Sequence, residues 1–175
     1  MIEPKHVVLG VSGSIAAHKA IDLASLLAKS GCAVDVVLTR EAQQFVQPLP
    51  FQTLTRRQVI NSIYDEEESG VAHVRAADRA DLLLVAPATA NTLAKLALGL
   101  ADDALGCIAL ALRPEARLLL APAMNGKMWS HPATEANVVV VENRVLAGRN
   151  AGIGSCLLYT SDAADEGLGV DLGGR

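Results

Sequence analysis

Asp81-Leu82-Leu83-Leu84-Val85-Ala86-Pro87-Ala88-Thr89-Ala90-Asn91-Thr92 decides how the rest of the chain is read. Behind the Asp stand five apolar residues, Leu82 to Ala86, too few to cross a membrane and suited to a strand buried on both faces. At Pro87 the chain loses the N–H that a sheet ladder needs, so the strand is expected to break there. Small and polar residues follow, then the good helix formers Leu93 to Leu98. Thr89 or Asn91 is placed to cap that helix, leaving backbone N–H groups and a positive dipole end just beyond the strand. Open α/β sheets bind phosphate-bearing ligands at strand ends of this kind.

Working outward, His6 to Val11 reads as a first buried strand. Gly10-Val11-Ser12-Gly13-Ser14-Ile15-Ala16-Ala17 turns it into a helix expected to run to about Ser30. Gly13 permits close backbone approach and Ser14 can cap, although the third glycine of a dinucleotide fingerprint is missing. Gly31 has the place of a helix-ending C′ residue. Ala33 to Leu38 is a second strand, and Thr39 after it either caps the next turn or touches a ligand. Phe45 to Leu54, with two Phe and two Pro, suggests a bent helical connection. Phe51 belongs to the core on this reading, whereas Phe45 is open between core and ligand wall. Val59 to Ile63 is a short third strand, and Tyr64 to Gly70 an acidic solvated loop.

His73 falls where that loop meets a helical stretch, Val74 to Ala80; a lone His there is either structural or an acid/base. Ala104 to Leu112 is apolar nearly all round, as for a helix pressed between sheet and neighbour. Arg117 to Ala121 is another buried strand, and Pro122-Ala123-Met124-Asn125 repeats the strand-to-proline ending of Ala86-Pro87-Ala88. Two such strands side by side make a crevice lined by small residues, with Asn125 and Trp129 just beyond. Ser130 to Asn143 reads as a helix and Val145 to Ala147 as a last short strand.

The bulk figures agree. The chain has 175 residues, 51% hydrophobic but only 3% aromatic, which calls for a core of Leu, Val, Ile and Ala, the usual filling of a parallel sheet under helices. A net charge of −4 without a basic run argues against nucleic acid as partner. No apolar stretch approaches the ~20 residues of a membrane span, and Met1 to His6 leads into no secretory signal. Cys32, Cys107 and Cys156 have neither metal-type nor disulfide-framework spacing, so no metal is expected and a cytoplasmic setting with reduced thiols is.

Four segments taken together carry a resemblance: Gly10 to Ala17, His73, Pro87-Ala88-Thr89-Ala90-Asn91-Thr92, and Pro122-Ala123-Met124-Asn125 with Met128-Trp129. In order and spacing the chain resembles the homo-oligomeric flavin-containing cysteine decarboxylases over roughly residues 5 to 156. It looks most like the phosphopantothenoylcysteine decarboxylase domain of bacterial bifunctional coenzyme A biosynthesis proteins. The resemblance implies an α/β fold, a three-layer doubly wound, Rossmann-like parallel sheet. It also implies FMN held at a subunit interface, in a homotrimer or a trimer-based oligomer. Gly13, Ser14, Ile15, Thr39, Phe45, Thr89, Ala90, Asn91 and Thr92 would then bind the cofactor. His73 would be the active-site acid/base, Asn125 would bind the substrate carboxylate with Met124 and Met128 beside it, and Cys156 would supply a proton. The implied reaction converts 4′-phosphopantothenoylcysteine to 4′-phosphopantetheine by oxidation of the thiol-bearing carbon, loss of carbon dioxide and reduction of the enethiol. Alternatives within the same fold are a peptidyl-cysteine decarboxylase that stops at the enethiol, a flavin prenyltransferase, which Asn125 disfavours, and a non-catalytic flavoprotein.

The flavoprotein domain is expected over residues 1–155. From Cys156 the pattern departs: Cys156 to Glu166 resembles a translated frame of a transposon-type sequencing adapter. The tail at 156–175 is therefore expected to be non-native and disordered. The phosphopantothenate–cysteine ligase domain of the bifunctional proteins is expected to be missing from this chain.

Overall fold

A computed structural model describes residues 5–64, 66–67 and 70–148. Strand β1 (His6–Val11) passes through a 3-10 turn (Ile15–His18) into α1 (Lys19–Lys29), and β2 (Ala33–Leu38) follows. A second 3-10 turn (Ala42–Gln44) leads to α2 (Pro48–Thr55), β3 (Val59–Ile60), the hairpin strands β4 (Glu66–Glu67) and β5 (Gly70–Val71), and α3 (Ala72–Arg79). Then come β6 (Leu82–Ala88), α4 (Ala90–Leu98), α5 (Ala104–Ala111), β7 (Arg117–Pro122), α6 (Gly126–Trp129) and α7 (Pro132–Gly148).

The main sheet has five strands in the order β3-β2-β1-β6-β7, every neighbouring pair parallel. Leu9 of β1 stands opposite Val36 of β2 and Leu84 of β6, so the centre of the sheet is unbroken Val and Leu. Alternate residues serve opposite cores. Val8, Val37, Leu83 and Val85 pack under α3, α4, α5 and α7, with Leu93, Leu105 and Ile108 among them. Val7, Leu9, Val36 and Leu38 pack under α1 and α2 around the fully buried Phe51. Two helical layers over one parallel sheet are the doubly wound arrangement expected from the sequence. The chain leaves β1 toward one face and reaches β6 from the other, which makes the β1–β6 border the switch point of the sheet.

Several local expectations change. Pro87 does not end its strand: β6 continues to Ala88, with a register shift between Val85 and Ala88 that takes the missing N–H out of the ladder. The first helix starts with a 3-10 turn and becomes α-helical only at Lys19, while Gly31, at φ +87°, follows the cap as anticipated. β3 is two residues long, not five. The acidic loop contains the β4–β5 hairpin, and His73 lies inside the first turn of α3 instead of ahead of it. Val145 to Ala147 continue α7, whose unbroken backbone hydrogen bonding overrides the strand preference of one Val. The tail at 156–175, and Cys156 with it, lies outside the described residues.

Candidate functional site

Where β1, β2, β6 and β7 end, their loops enclose a cavity of about 430 Å³. Its floor is built by one hydroxyl. Ser12, buried directly after β1, donates from Oγ to the Pro87 carbonyl at 2.7 Å and accepts from the Thr89 N–H at 3.0 Å. The two central strand ends are thereby locked across the switch point. Ala123 N–H extends the lock to β7 by donating to the Ala88 carbonyl at 3.0 Å.

Four short polar side chains shape the loops around it. Ser14 caps the 3-10 turn by accepting from Ala16 N–H, and Thr39 accepts from Ala42 N–H at 3.2 Å. Of the two capping candidates for α4, Thr89 is the N-cap, accepting from Thr92 N–H at 3.3 Å, while its hydroxyl lies 3.0 Å from that of Thr92. Asn91 sits within the first turn and faces the cavity. Gly13 is required by contact: a Cβ there would lie 2.4 Å from Glu41 Cβ and 2.8 Å from its carbonyl carbon.

Of the residues singled out in the sequence, Gly13, Ser14, Ile15, Thr39, Phe45, Thr89, Asn91, Thr92, Met124 and Met128 all line this one cavity. Phe45, left open between core and wall, is half exposed and on the wall. Ala90 opens α4 but is not among the lining residues, and neither is Asn125, which is exposed and caps α6 by accepting from Lys127 N–H at 2.9 Å. His73 is not among the lining residues; it is half-buried, with its Nδ1 shielded and without a hydrogen-bond partner among the described residues.

Sequence reasoning missed Ser12, Glu41 and Asp103, which also line the wall. Ser12 could have been found as the small hydroxyl directly following a buried strand; Asp103 gives no such local signal. Asp103 caps α5, accepting from Gly106 N–H at 2.8 Å through Oδ1 and from Lys95 Nζ at 2.9 Å through Oδ2. Lys95 also reaches Asp102 at 2.8 Å. Burial opposes the Lys95 charge, but the hydrogen bonds it donates to Asp102 and Asp103, with their negative charges, together outweigh it and raise the ammonium above its ordinary pKa. Cys107 is half-buried: desolvation, then the charges of Asp103 and Asp102, push its thiol up. Among the described residues no cluster of His, Cys, Asp or Glu could hold a metal ion, and no helix is long and apolar enough to cross a membrane.

This cavity offers hydroxyls and the first-turn N–H groups of α4 at one side, and an apolar wall of Ile15, Phe45, Ala123, Met124 and Met128. A flat aromatic ligand carrying a phosphate matches both parts.

Comparison with known proteins agrees with that chemistry. The flavoprotein family profile matches residues 1–167. A probable phosphopantothenoylcysteine decarboxylase of Streptococcus mutans is 45% identical over 139 residues, covering 79% of this chain and 78% of the relative. The coenzyme A biosynthesis bifunctional protein CoaBC of Bacillus subtilis is 46% identical over 142 residues, covering 81% of this chain. The chain spans only 34% of that longer protein's length. The crystal structure of the FMN-dependent cysteine decarboxylase SpaF superposes with a TM-score of 0.74 at 33% identity, over 84% of this chain and 82% of that one. The chain thus belongs to the flavoprotein family, among relatives that include phosphopantothenoylcysteine decarboxylases.

Proposed function

We propose that this chain is an FMN-dependent carboxy-lyase of the cytoplasm that converts 4′-phosphopantothenoylcysteine to 4′-phosphopantetheine in coenzyme A biosynthesis. The observation that carries the reading is the convergence of four strand ends on one cavity whose donors suit a phosphate and whose apolar wall suits an aromatic ring. The names of the relatives support the substrate.

The fit to FMN rests on this chain's own atoms. Gly13 lines the cavity with its Cβ direction closed by Glu41, and the capped N-terminus of α4 lies at the same cavity. Bound there, FMN supplies hydride acceptance and return. The residues do the remainder. Thr89, Thr92 and the α4 terminus hold the phosphate, while Ile15, Phe45, Met124 and Met128 keep water from the reacting carbon. Asn125, exposed at the rim beside Met124, donates its side-chain N–H to the substrate carboxylate, since its oxygen is engaged by Lys127 N–H. His73 moves a proton on the substrate.

In a single copy His73 is not among the residues lining the cavity, and Ile15, Phe45 and Met128 are half or more exposed at its mouth. Both features support a homotrimer in which a neighbouring copy covers the mouth and brings His73 to it. Sedimentation should give a trimeric mass; a monomer that binds FMN and turns over would overturn that assembly. In the longer relatives the ligase domain would act on the preceding step.

Mass spectrometry of 4′-phosphopantothenoylcysteine incubated with FMN-loaded protein tests the reading. Loss of carbon dioxide is expected, and loss of activity with a retained yellow complex in His73→Asn. A substrate that keeps its carboxylate in the wild-type reaction would refute decarboxylation. A product that stops at the enethiol would favour the alternative activity, that of a peptidyl-cysteine decarboxylase.

A further inference from the structure

Asp103 is a carboxylate in the wall of a cavity otherwise suited to an anion, and it was not selected by any sequence motif. Its position is set from behind. Thr92 and Lys95 lie three residues apart on one face of α4, so a group clamped by Lys95 comes to rest beside Thr92. The Gly106 N–H holds the other oxygen, and the Asp103 side chain stays one-quarter exposed. An ionised carboxylate offers about four lone-pair sites. Two are used by Gly106 and Lys95, which leaves acceptor capacity on a carboxylate that lines the cavity. Such a group repels phosphate and can only accept, so it selects a donor on the ligand. The hydroxyl side chains of the wall are drawn into loop contacts: Ser14 to Ala16, Thr39 to Ala42, and Thr89 with Thr92.

We propose that Asp103, held by Lys95 and the α5 N-terminus, recognises a hydroxyl on the polyol chain of the bound flavin and so sets the direction in which the ligand lies. This rests on the FMN reading. The phosphate then lies toward the α4 N-terminus, away from the carboxylate, and the polyol passes Asp103.

Titration of apo-protein by flavin fluorescence separates the possibilities. Riboflavin has the polyol without phosphate, and lumiflavin has the ring with neither. Asp103→Ser keeps an N-capping oxygen for Gly106 but loses the second oxygen, held by Lys95, and with it the charged acceptor. It should weaken riboflavin and FMN about tenfold and leave lumiflavin unchanged. Equal weakening of all three, or of none, would overturn the assignment. The wild-type protein gives a check that needs no variant: a flavin with an unhydroxylated five-carbon chain should bind about tenfold more weakly than riboflavin, and equal affinity would sink the idea. Failure of wild-type protein to bind FMN at all would instead remove the cofactor reading beneath it.

Discussion

Gly13 and Asp102 show how far single residues carry the behaviour of the site. At Gly13 an added methyl meets Glu41 Cβ and backbone, not the end of a flexible side chain, so the loop must move. Gly13→Ala should cost about 1–3 kcal/mol of stability, in the range of overpacking. It should also weaken FMN at least tenfold, read from denaturant unfolding and flavin titration; unchanged affinity would show that the loop does not touch the ligand. Asp102 is exposed, and the hydrogen bond it accepts from Lys95 holds the carboxyl below its ordinary pKa of 3.8. A lowered folded-state pKa means that the unfolded chain binds the proton more readily. The contribution is therefore present above the unfolded value and lost as pH falls through the folded one. Unfolding curves of wild type and Asp102→Asn should differ slightly at neutral pH, converge in acid below that range, and differ less in high salt. A gap that persists in strong acid would assign the effect to something other than the ion pair.

Between elements, the decisive contact is Ser12 joining the ends of β1 and β6. Ser12→Ala removes the acceptor of a part-buried Thr89 N–H and one of two donors to the Pro87 carbonyl, which keeps the Ser12 N–H at 3.3 Å. A loss of about 1–3 kcal/mol is expected by urea unfolding, from the cost of leaving the Thr89 N–H unpaired. Weaker FMN binding should accompany it, because Thr89 sets the start of α4. Full stability would mean that the two strand ends are held independently of this hydroxyl. At this scale much was legible: β2 spans the residues read from the sequence, and Thr89 is one of the two caps proposed. The lengths of β3 and α7 were not: β3 is only the two residues that pair with β2, and α7 runs on through Val145 to Ala147. Pro87 misled because the lost N–H was judged alone, whereas a register shift beside β7 accommodates it.

At the scale of the molecule, two cores share one sheet, and Phe51 fills the one under α1 and α2. Phe51→Ala should cost about 3–5 kcal/mol, the range for a deleted buried aromatic. That is a large share of a typical total of about 5–15 kcal/mol. A loss below about 1 kcal/mol in denaturant unfolding would mean that the cavity collapses and this core is loosely packed. The sequence by itself determined the layered α/β architecture, because strands buried on both faces must be continuous runs of Val, Leu and Ala, and the helices between them carry caps at readable positions. It also marked most of the cavity's wall, since small and hydroxyl residues directly after buried strands have few other uses. Only the tertiary structure decided that Ser12 locks two strand ends 75 residues apart, that Asp103 joins the wall through Lys95, and that His73 is not among the residues lining the cavity in one copy. Those outcomes depend on which strands become neighbours and how helices cross above them, and no spacing along the chain encodes a distance through space.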